Sequence, residues 1–383
     1  MEKVKLGVIG LGNMGSGHTQ NILAGKTPEI TLAAVADRRE ARRAWAQDNL
    51  PGVPLFTEGS QLIRSGLCDA VLIATPHYQH PTLAQDAFSQ GLHVMCEKPA
   101  GVYTKAVREM NAAADQSGKV FAMMFNQRTN CLYRKMRQMV QEGQLGQLKR
   151  VNWIITDWYR TQIYYDSGDW RATWSGEGGG VLLNQCPHQL DLLQWICGLP
   201  QRVQAFCHEG KWHDIEVEDD VTAYLEFPGG ATGVFVTTTG DAPGTNRFEV
   251  TGTLGKLVCE DGALRFWRLA QDERDFCRTS QEGFQKPDCQ EVPIETDGEN
   301  PQHVGVLNAF AANILRGEPL VADGREGIGG LTLSNAMHLS SWLQKPVDIP
   351  FDEELFLQEL DRRRAGSRKK EGAAITFNTE GTY

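Results

Sequence analysis

The sequence predicts an α/β protein in two parts: an N-terminal doubly wound parallel sheet, then an α+β domain on a large, open, mainly antiparallel sheet. Three observations carry this. Over the first 125 residues, short apolar runs alternate with helical stretches. A glycine-rich turn directly follows the first run. Beyond residue 125 the rhythm changes to strand-like runs separated by turn signals. Strand–helix–strand repetition implies crossovers covering both faces of a parallel sheet. At 383 residues the chain is also too long for one ordinary core.

The first apolar runs fall at residues 4–9, 32–36, 70–74, 93–96 and 120–124, with helical stretches at 15–24, 39–49, 81–90 and 105–117. Residues 131–142 then read as a helix and 149–159 as an aromatic-rich strand. Further strands are expected at 203–208, 221–227, 231–239, 247–251 and 256–260, with Pro228-Gly229-Gly230 as a hairpin loop. Residues 271–300 are polar and aperiodic, a surface excursion, and 303–316 and 327–344 read as two closing helices. The expected units are 1–125, 126–350 and a C-terminal extension, 351–383, to which the sequence assigns no role.

A hydrophobic content of 41% and a charged content of 22% are ordinary for a soluble protein. The net charge of −10 argues against nucleic acid as partner, because phosphate backbones reward clustered Lys and Arg. The one basic run, residues 362–364 with 368–370, reads as a solvated helix end. No window of ~18 apolar residues exists to span a membrane, and Met1-Glu2-Lys3 runs straight into a strand, leaving no room for a signal peptide. Nine scattered cysteines without a CxxC pair fit reduced thiols and a cytoplasmic location.

Gly10-Leu11-Gly12-Asn13-Met14-Gly15 is a GxGxxG between a strand and a helix. The first glycine allows the tight turn, the second lets backbone approach a pyrophosphate, and the third lets helix pack on strand. The helix N-terminus adds N–H donors and a positive dipole end. Asp37 closes the second strand 22 residues after Gly15, where a carboxylate accepts from adenosine ribose hydroxyls. These features predict a Rossmann dinucleotide site. Asp37 favours NAD by repelling a 2′-phosphate, whereas Arg38 and Arg39 leave NADP open.

Ala74-Thr75-Pro76 and Glu97-Lys98-Pro99 close two later strands, and the second half carries Trp170-Arg171, then Gly178-Gly179-Gly180-Val181-Leu182-Leu183-Asn184-Gln185-Cys186-Pro187-His188-Gln189-Leu190-Asp191, and later Val250-Thr251-Gly252-Thr253-Leu254-Gly255-Lys256-Leu257. Together these resemble the Gfo/Idh/MocA family, which includes glucose–fructose oxidoreductase and inositol dehydrogenase, over nearly the whole chain to about residue 345. The resemblance implies an NAD(P)-dependent oxidoreductase of carbohydrate metabolism acting on CH–OH of a sugar, glycoside or cyclitol. It implies a nicotinamide near Thr75, Pro76, His77, His80 and Glu97. Lys98 then contacts the ribose and the substrate hydroxyl, often before a cis proline, where an ammonium stabilises a developing alkoxide. It places an acid and a histidine four residues apart on one helix face. His188 fits the histidine, as general acid/base. Asn184 stands at the acid position; an amide takes no proton, so it would orient substrate hydroxyls instead. Asn126 and Arg128 match positions near the cleft, and Asp191 caps or tethers its helix. The resemblance also implies a homodimer or homotetramer formed through the second sheet's open face.

Arg128 and Arg171 are open between substrate contact and structural ion pair. Tyr159, Tyr164, Tyr165 and Trp174 are candidates for stacking on a sugar ring, against a packing role. His77-x-x-His80 with Cys186 and His188 lacks a nearby carboxylate to complete a metal site, so no metal is expected, and Cys186 reads as pocket lining rather than a nucleophile. Two rival functions stay open: a lyase, hydratase or glycosidase-like enzyme that oxidises its sugar transiently on retained NAD, and a non-catalytic nucleotide-binding regulator.

Overall fold

The computed structural model describes residues 3–368 and residue 370. The first unit runs β1 (Val4–Ile9), α1 (Asn13–Leu23), β2 (Ile30–Ala36), α2 (Glu40–Asn49), β3 (Leu55–Phe56), α3 (Gly59–Ile63), β4 (Ala70–Ile73), α4 (Gln79–Ser89), β5 (His93–Cys96), α5 (Thr104–Ser117) and β6 (Phe121–Met123). All strand pairs are parallel, in the order β3-β2-β1-β4-β5-β6. The central strands must be apolar on both faces, and the four residues of β4, Ala-Val-Leu-Ile, are all buried. Strand order reverses at β1 and β4, successive strands running outward to one side as far as β3 and to the other from β4 on, which opens a crevice at the strands' carboxyl ends. The short β3 and α3 escaped the sequence reading because two and five residues hold no measurable period.

The second unit runs α6 (Cys131–Gln141), β7 (Leu148–Ile155), α7 (Gln162–Asp166), α8 (Pro187–Cys197), β8 (Arg202–Glu209), β9 (Glu218–Glu226), β10 (Thr232–Thr238), β11 (Asn246–Gly252), β12 (Gly255–Glu260), β13 (Ala263–Leu269), α9 (Glu273–Thr279), β14 (Cys289–Val292), α10 (Gln302–Arg316), α11 (Gly327–Leu343), β15 (Val347–Asp348) and α12 (Glu353–Ala365). Nine strands form one sheet, β14-β13-β12-β11-β7-β10-β9-β8-β15, antiparallel except for the β7–β10 pair. Register sets Trp153 between Phe235 and Phe248 on one face. Trp153 stacks on Phe248 at 4.1 Å, and all three rings are buried in the core that includes α8 and α11 side chains. The other face leaves Ile154, Phe206 and Tyr224 exposed. Pro228-Gly229-Gly230 is the turn between β9 and β10, as expected.

Two expectations are corrected, and part of the C-terminal extension is accounted for. Residues 271–300 are not wholly irregular, since they contain α9 and the edge strand β14. The helix expected at 303–316 forms, but Val306, Leu307, Phe310 and Ala311 join the core of Leu6, Val8, Leu72 and Met95, so α10 covers the first sheet. Helical periodicity shows that an apolar face needs a partner, not which sheet provides it. The extension beyond residue 351 starts as α12, whose Phe356 and Leu360 are buried and whose Glu353 and Glu354 pair with Arg108 and Lys105 of α5. Burial of Phe356 stabilises this docking by ~2–3 kcal/mol, well above the ~0–1 kcal/mol of each exposed pair. Residues 369 and 371–383 of the extension and of the basic run lie outside the described residues.

Candidate active site

The glycine turn separates what the fold needs from what a ligand needs. Gly10 has φ +92°, and a Cβ there would lie 2.5 Å from the Ala74 carbonyl. A Cβ on Gly15 would lie 1.8 Å from the Gly10 carbonyl oxygen. Both positions are closed by the protein itself. At Gly12 the nearest atom to a Cβ is Arg39 Nη2, at 3.8 Å. Gly12 therefore faces open space at the start of α1, whose N-terminus turns its positive dipole end toward phosphate oxygens there.

Asp37 is buried at the end of β2, and its carboxylate accepts from Leu11 N (2.7 Å), Arg39 N (2.8 Å) and the Arg39 guanidinium (3.2 Å). Burial alone would raise its pKa; the Arg39 and Leu11 hydrogen bonds outweigh it and hold the carboxyl below its usual range. Arg38 turns to Glu58 instead (2.7 Å). A cleft of about 1080 Å³ runs from Gly10, Asp37 and Arg38 past Thr75 and Tyr78 to Trp170. These residues fit a dinucleotide: a ribose acceptor, a pyrophosphate turn and an apolar slot.

Next to it is a smaller cavity of about 260 Å³. Its walls bring together Gly12, Asn13, Met14, Thr75, Pro76 and His77 from the first unit, with His80, Glu97 and Lys98. Arg171 and Asn184 close it from the second unit. The Lys98–Pro99 peptide is cis, as the resemblance implied. Lys98 Nζ donates to the Asn184 carbonyl (2.9 Å). Burial pushes the Lys98 ammonium's pKa down, and Glu97 opposes the shift. Burial would likewise raise Glu97, but the His18 hydrogen bond at 2.7 Å and nearby positive charges bring its carboxyl down to about 2. Glu97 is therefore a standing anion beside Lys98.

His188 is buried outside the walls of both cavities, with its ring edge toward Phe125 and both nitrogens lacking a partner among the described residues. Burial, then the Lys98 charge, drives its pKa well below the usual value. Burial thus favours the neutral imidazole, with one ring nitrogen a donor and the other an acceptor. His80 bonds the Pro99 and Thr75 carbonyls through its two nitrogens (2.8 and 2.7 Å), tying the two loops together, and His77 Nδ1 lies 3.1 Å from the Glu177 carbonyl. Among the described residues no three His, Cys, Asp or Glu side chains gather as for a metal.

Around Asn184 the structure assembles a group that the sequence showed only in part. Tyr164 donates to Asn184 Oδ1 (3.3 Å) and accepts from Arg171 Nη1 (2.9 Å) and Gln185 Nε2 (3.1 Å). Asn184 Nδ2 donates to Glu177, a carboxylate only 2% exposed that sequence reasoning passed over. It stands one residue before the Gly178–Gly180 triplet, and a glycine pattern draws attention to backbone, not to the acid beside it. The triplet is fixed by Glu218, which accepts from Gly180 N and Leu182 N.

Other expected residues lie elsewhere. Arg128 lines neither cavity: it holds Asp191 through two 2.7 Å bonds and Glu326 through one of 2.6 Å, the structural ion pair that the sequence left open. Asp191 is thereby a tether. Asn126 is fully buried, bonded to Gln302 with Oδ1 unpartnered. Trp174 is packed edge-on against His338 and Trp342, and Tyr159 stands 49% exposed; neither lines the cleft. Among the tryptophans of that stretch Trp170 lines both cavities, and its ring meets His77 at 5.7 Å. Cys186 is buried against Thr237, and burial raises its thiol to about 12, which disfavours the thiolate near neutrality.

Residues 4–125 match the model of an oxidoreductase family with an NAD-binding Rossmann fold, and residues 133–258 match the GFO/IDH/MocA C-terminal domain. The rhizopine catabolism protein MocA of Rhizobium meliloti is 29% identical over 52% of this chain and 58% of its own. The chain spans about half the length of the curated relatives it matches first. Myo-inositol 2-dehydrogenase of Thermotoga maritima is 23% identical over 90% of this chain and 98% of its own. Among solved structures, the WlbA dehydrogenase of Chromobacterium violaceum, in complex with NADH and UDP-GlcNAcA, is 26% identical with a TM-score of 0.79, covering 92% of this chain and 97% of that one.

Proposed function

The chain belongs to the GFO/IDH/MocA family of NAD-binding oxidoreductases, and from that premise we propose that it transfers a hydride between nicotinamide and a secondary hydroxyl or ketone of a sugar, glycoside or cyclitol. The observation that carries this reading is the small cavity where Lys98, Asn184 and Arg171 face the glycine turn. Bound nicotinamide supplies the hydride acceptor or donor. Lys98 handles the proton at Nζ: it takes one from the substrate hydroxyl in oxidation and returns it to the alkoxide in reduction, aided by its lowered pKa. Asn184, Tyr164 and Arg171 offer an amide, a phenol and a guanidinium to neighbouring hydroxyls. Trp170, rather than Trp174, is the ring placed to cover a sugar's C–H face.

Relatives named as acting on cyclitols and anhydro sugars support a ring alcohol as substrate. We also propose self-association through the sheet face bearing Ile154, Phe206 and Tyr224, and a cytoplasmic setting in keeping with nine free cysteines. Among the described residues no helix is long and apolar enough to cross a membrane. The test is a panel of sugars, glycosides and cyclitols with NAD and NADP separately, read by the absorbance of reduced nicotinamide. Reduction by at least one member is expected. Product formed with no net reduction would instead favour transient oxidation on retained cofactor, and tight NADH binding with no turnover would favour a regulator.

A further inference from the structure

The site lacks an acid at position 184 yet contains one elsewhere. We propose that Glu177 is the positioning acid of this site: it fixes the Asn184 carboxamide and supplies the negative charge, missing at 184, that sustains the basicity of the Lys98 amine. The inference deepens the reading above and rests on it.

The geometry is specific. One Glu177 oxygen accepts from Asn184 Nδ2 and the other from Ala172 N at 2.6 Å. A carboxylate accepts only, so the amide must present its NH₂ to Glu177 and its oxygen to Tyr164, and that is the observed orientation. Asn184 Oδ1 is thus held as an acceptor toward Tyr164. The same residue's backbone carbonyl receives the Lys98 ammonium. One short segment therefore joins acid, amide and lysine.

Charge balance points the same way. Arg171 and Arg160 both disfavour the Lys98 ammonium, while Glu97 and Glu177 favour it. Glu97 is already engaged by His18, which leaves Glu177 as the carboxylate on the second-domain side. The histidines His77, His80, His188 and His303 also feel the Lys98 charge. Glu177 in turn is faced by Arg171, Asn184 and Glu218, and its charge also reaches Lys370 and Tyr165. Burial raises its carboxyl, and Arg171 and the two hydrogen bonds oppose that rise.

The experiment measures Lys98 basicity without any substrate. Protein loaded with NAD is labelled with trinitrobenzenesulfonate across pH, and modification at Lys98 is quantified by peptide mass spectrometry. Loss of a nearby negative charge destabilises an ammonium, so in Glu177→Gln the inflection falls, by on the order of one pH unit. Glu177→Asp keeps the charge and holds the inflection near wild type, which also covers the case where the Gln variant fails to fold. Restoring an acid in Glu177→Gln/Asn184→Asp raises the inflection again. A folded Glu177→Gln with an unmoved inflection, or an Asp variant as shifted as the Gln one, overturns the proposal. A shifted inflection with no panel turnover would sink the oxidoreductase reading and leave this assignment intact.

Discussion

Replacing single glycines of the first turn separates cofactor binding from folding. In Gly12→Ala the new methyl lies 3.8 Å from its nearest neighbour, ordinary contact distance, and φ is −66°, which alanine adopts freely. Folding stability should then be unchanged or gain up to ~1 kcal/mol from a less flexible unfolded chain. In the bound state that methyl occupies the space the pyrophosphate needs. A loss of ten- to a hundredfold in NADH affinity, about 1.4–2.8 kcal/mol, is expected. Gly15→Ala is the opposite case, because a carbon 1.8 Å from the Gly10 oxygen forces β1 and α1 apart and should cost several kcal/mol. Urea unfolding and NADH fluorescence titration on the same samples provide both numbers. A Gly12→Ala protein that binds NADH as tightly as wild type would refute the assignment of this turn to the pyrophosphate.

Lys98→Met should lower kcat by ~10²–10⁴-fold, with NADH affinity within a few-fold of wild type, because the lysine serves proton transfer more than binding; stopped-flow rates and fluorescence titration check this. Arg128→Ala leaves Asp191 buried and unpaired, so unfolding should show a loss of ~3–5 kcal/mol; a normal stability with a raised KM would return Arg128 to the substrate. Asp37→Ser removes the charge set against a 2′-phosphate and should shift the ratio of NADP to NAD affinity upward, measured by titration with each cofactor. Burial depresses the His303 pKa from 6.5 to about 4. The unfolded chain therefore binds the extra proton first, and stability is full above about 6.5 and falls toward pH 4, by up to ~1.4 kcal/mol per pH unit. His303→Gln should flatten that slope in urea unfolding between those pH values.

The parts of the site that follow local rules were legible in the sequence. Gly10–Gly15, Asp37 and Lys98 sit at strand ends, where alternation of strand and helix fixes position to within a residue or two, and the structure brings them to one crevice. Contacts set by distant partners were not legible. Arg128 stays open between substrate contact and ion pair until Asp191 and Glu326, 63 and 198 positions away, are seen to accept from it. Trp174 and Trp170 look alike in a run of aromatics, and only packing against His338 and Trp342 removes the first. The burial that drives the His188 pKa down is set by packing, which no spacing reveals. Glu177 was hidden because its importance depends on the side-chain amide seven residues further on.

The central claim is that hydride passes between a ring carbon and nicotinamide while Lys98 handles the proton. Once the panel yields a substrate, turnover of its form deuterated at the oxidised carbon, followed by mass spectrometry of the cofactor, tests this directly. One deuterium in the recovered NADH is the expected result, with the transfer lost in Lys98→Met. Product formed while the cofactor stays unlabelled, or label transfer at full rate without Lys98, would contradict the account.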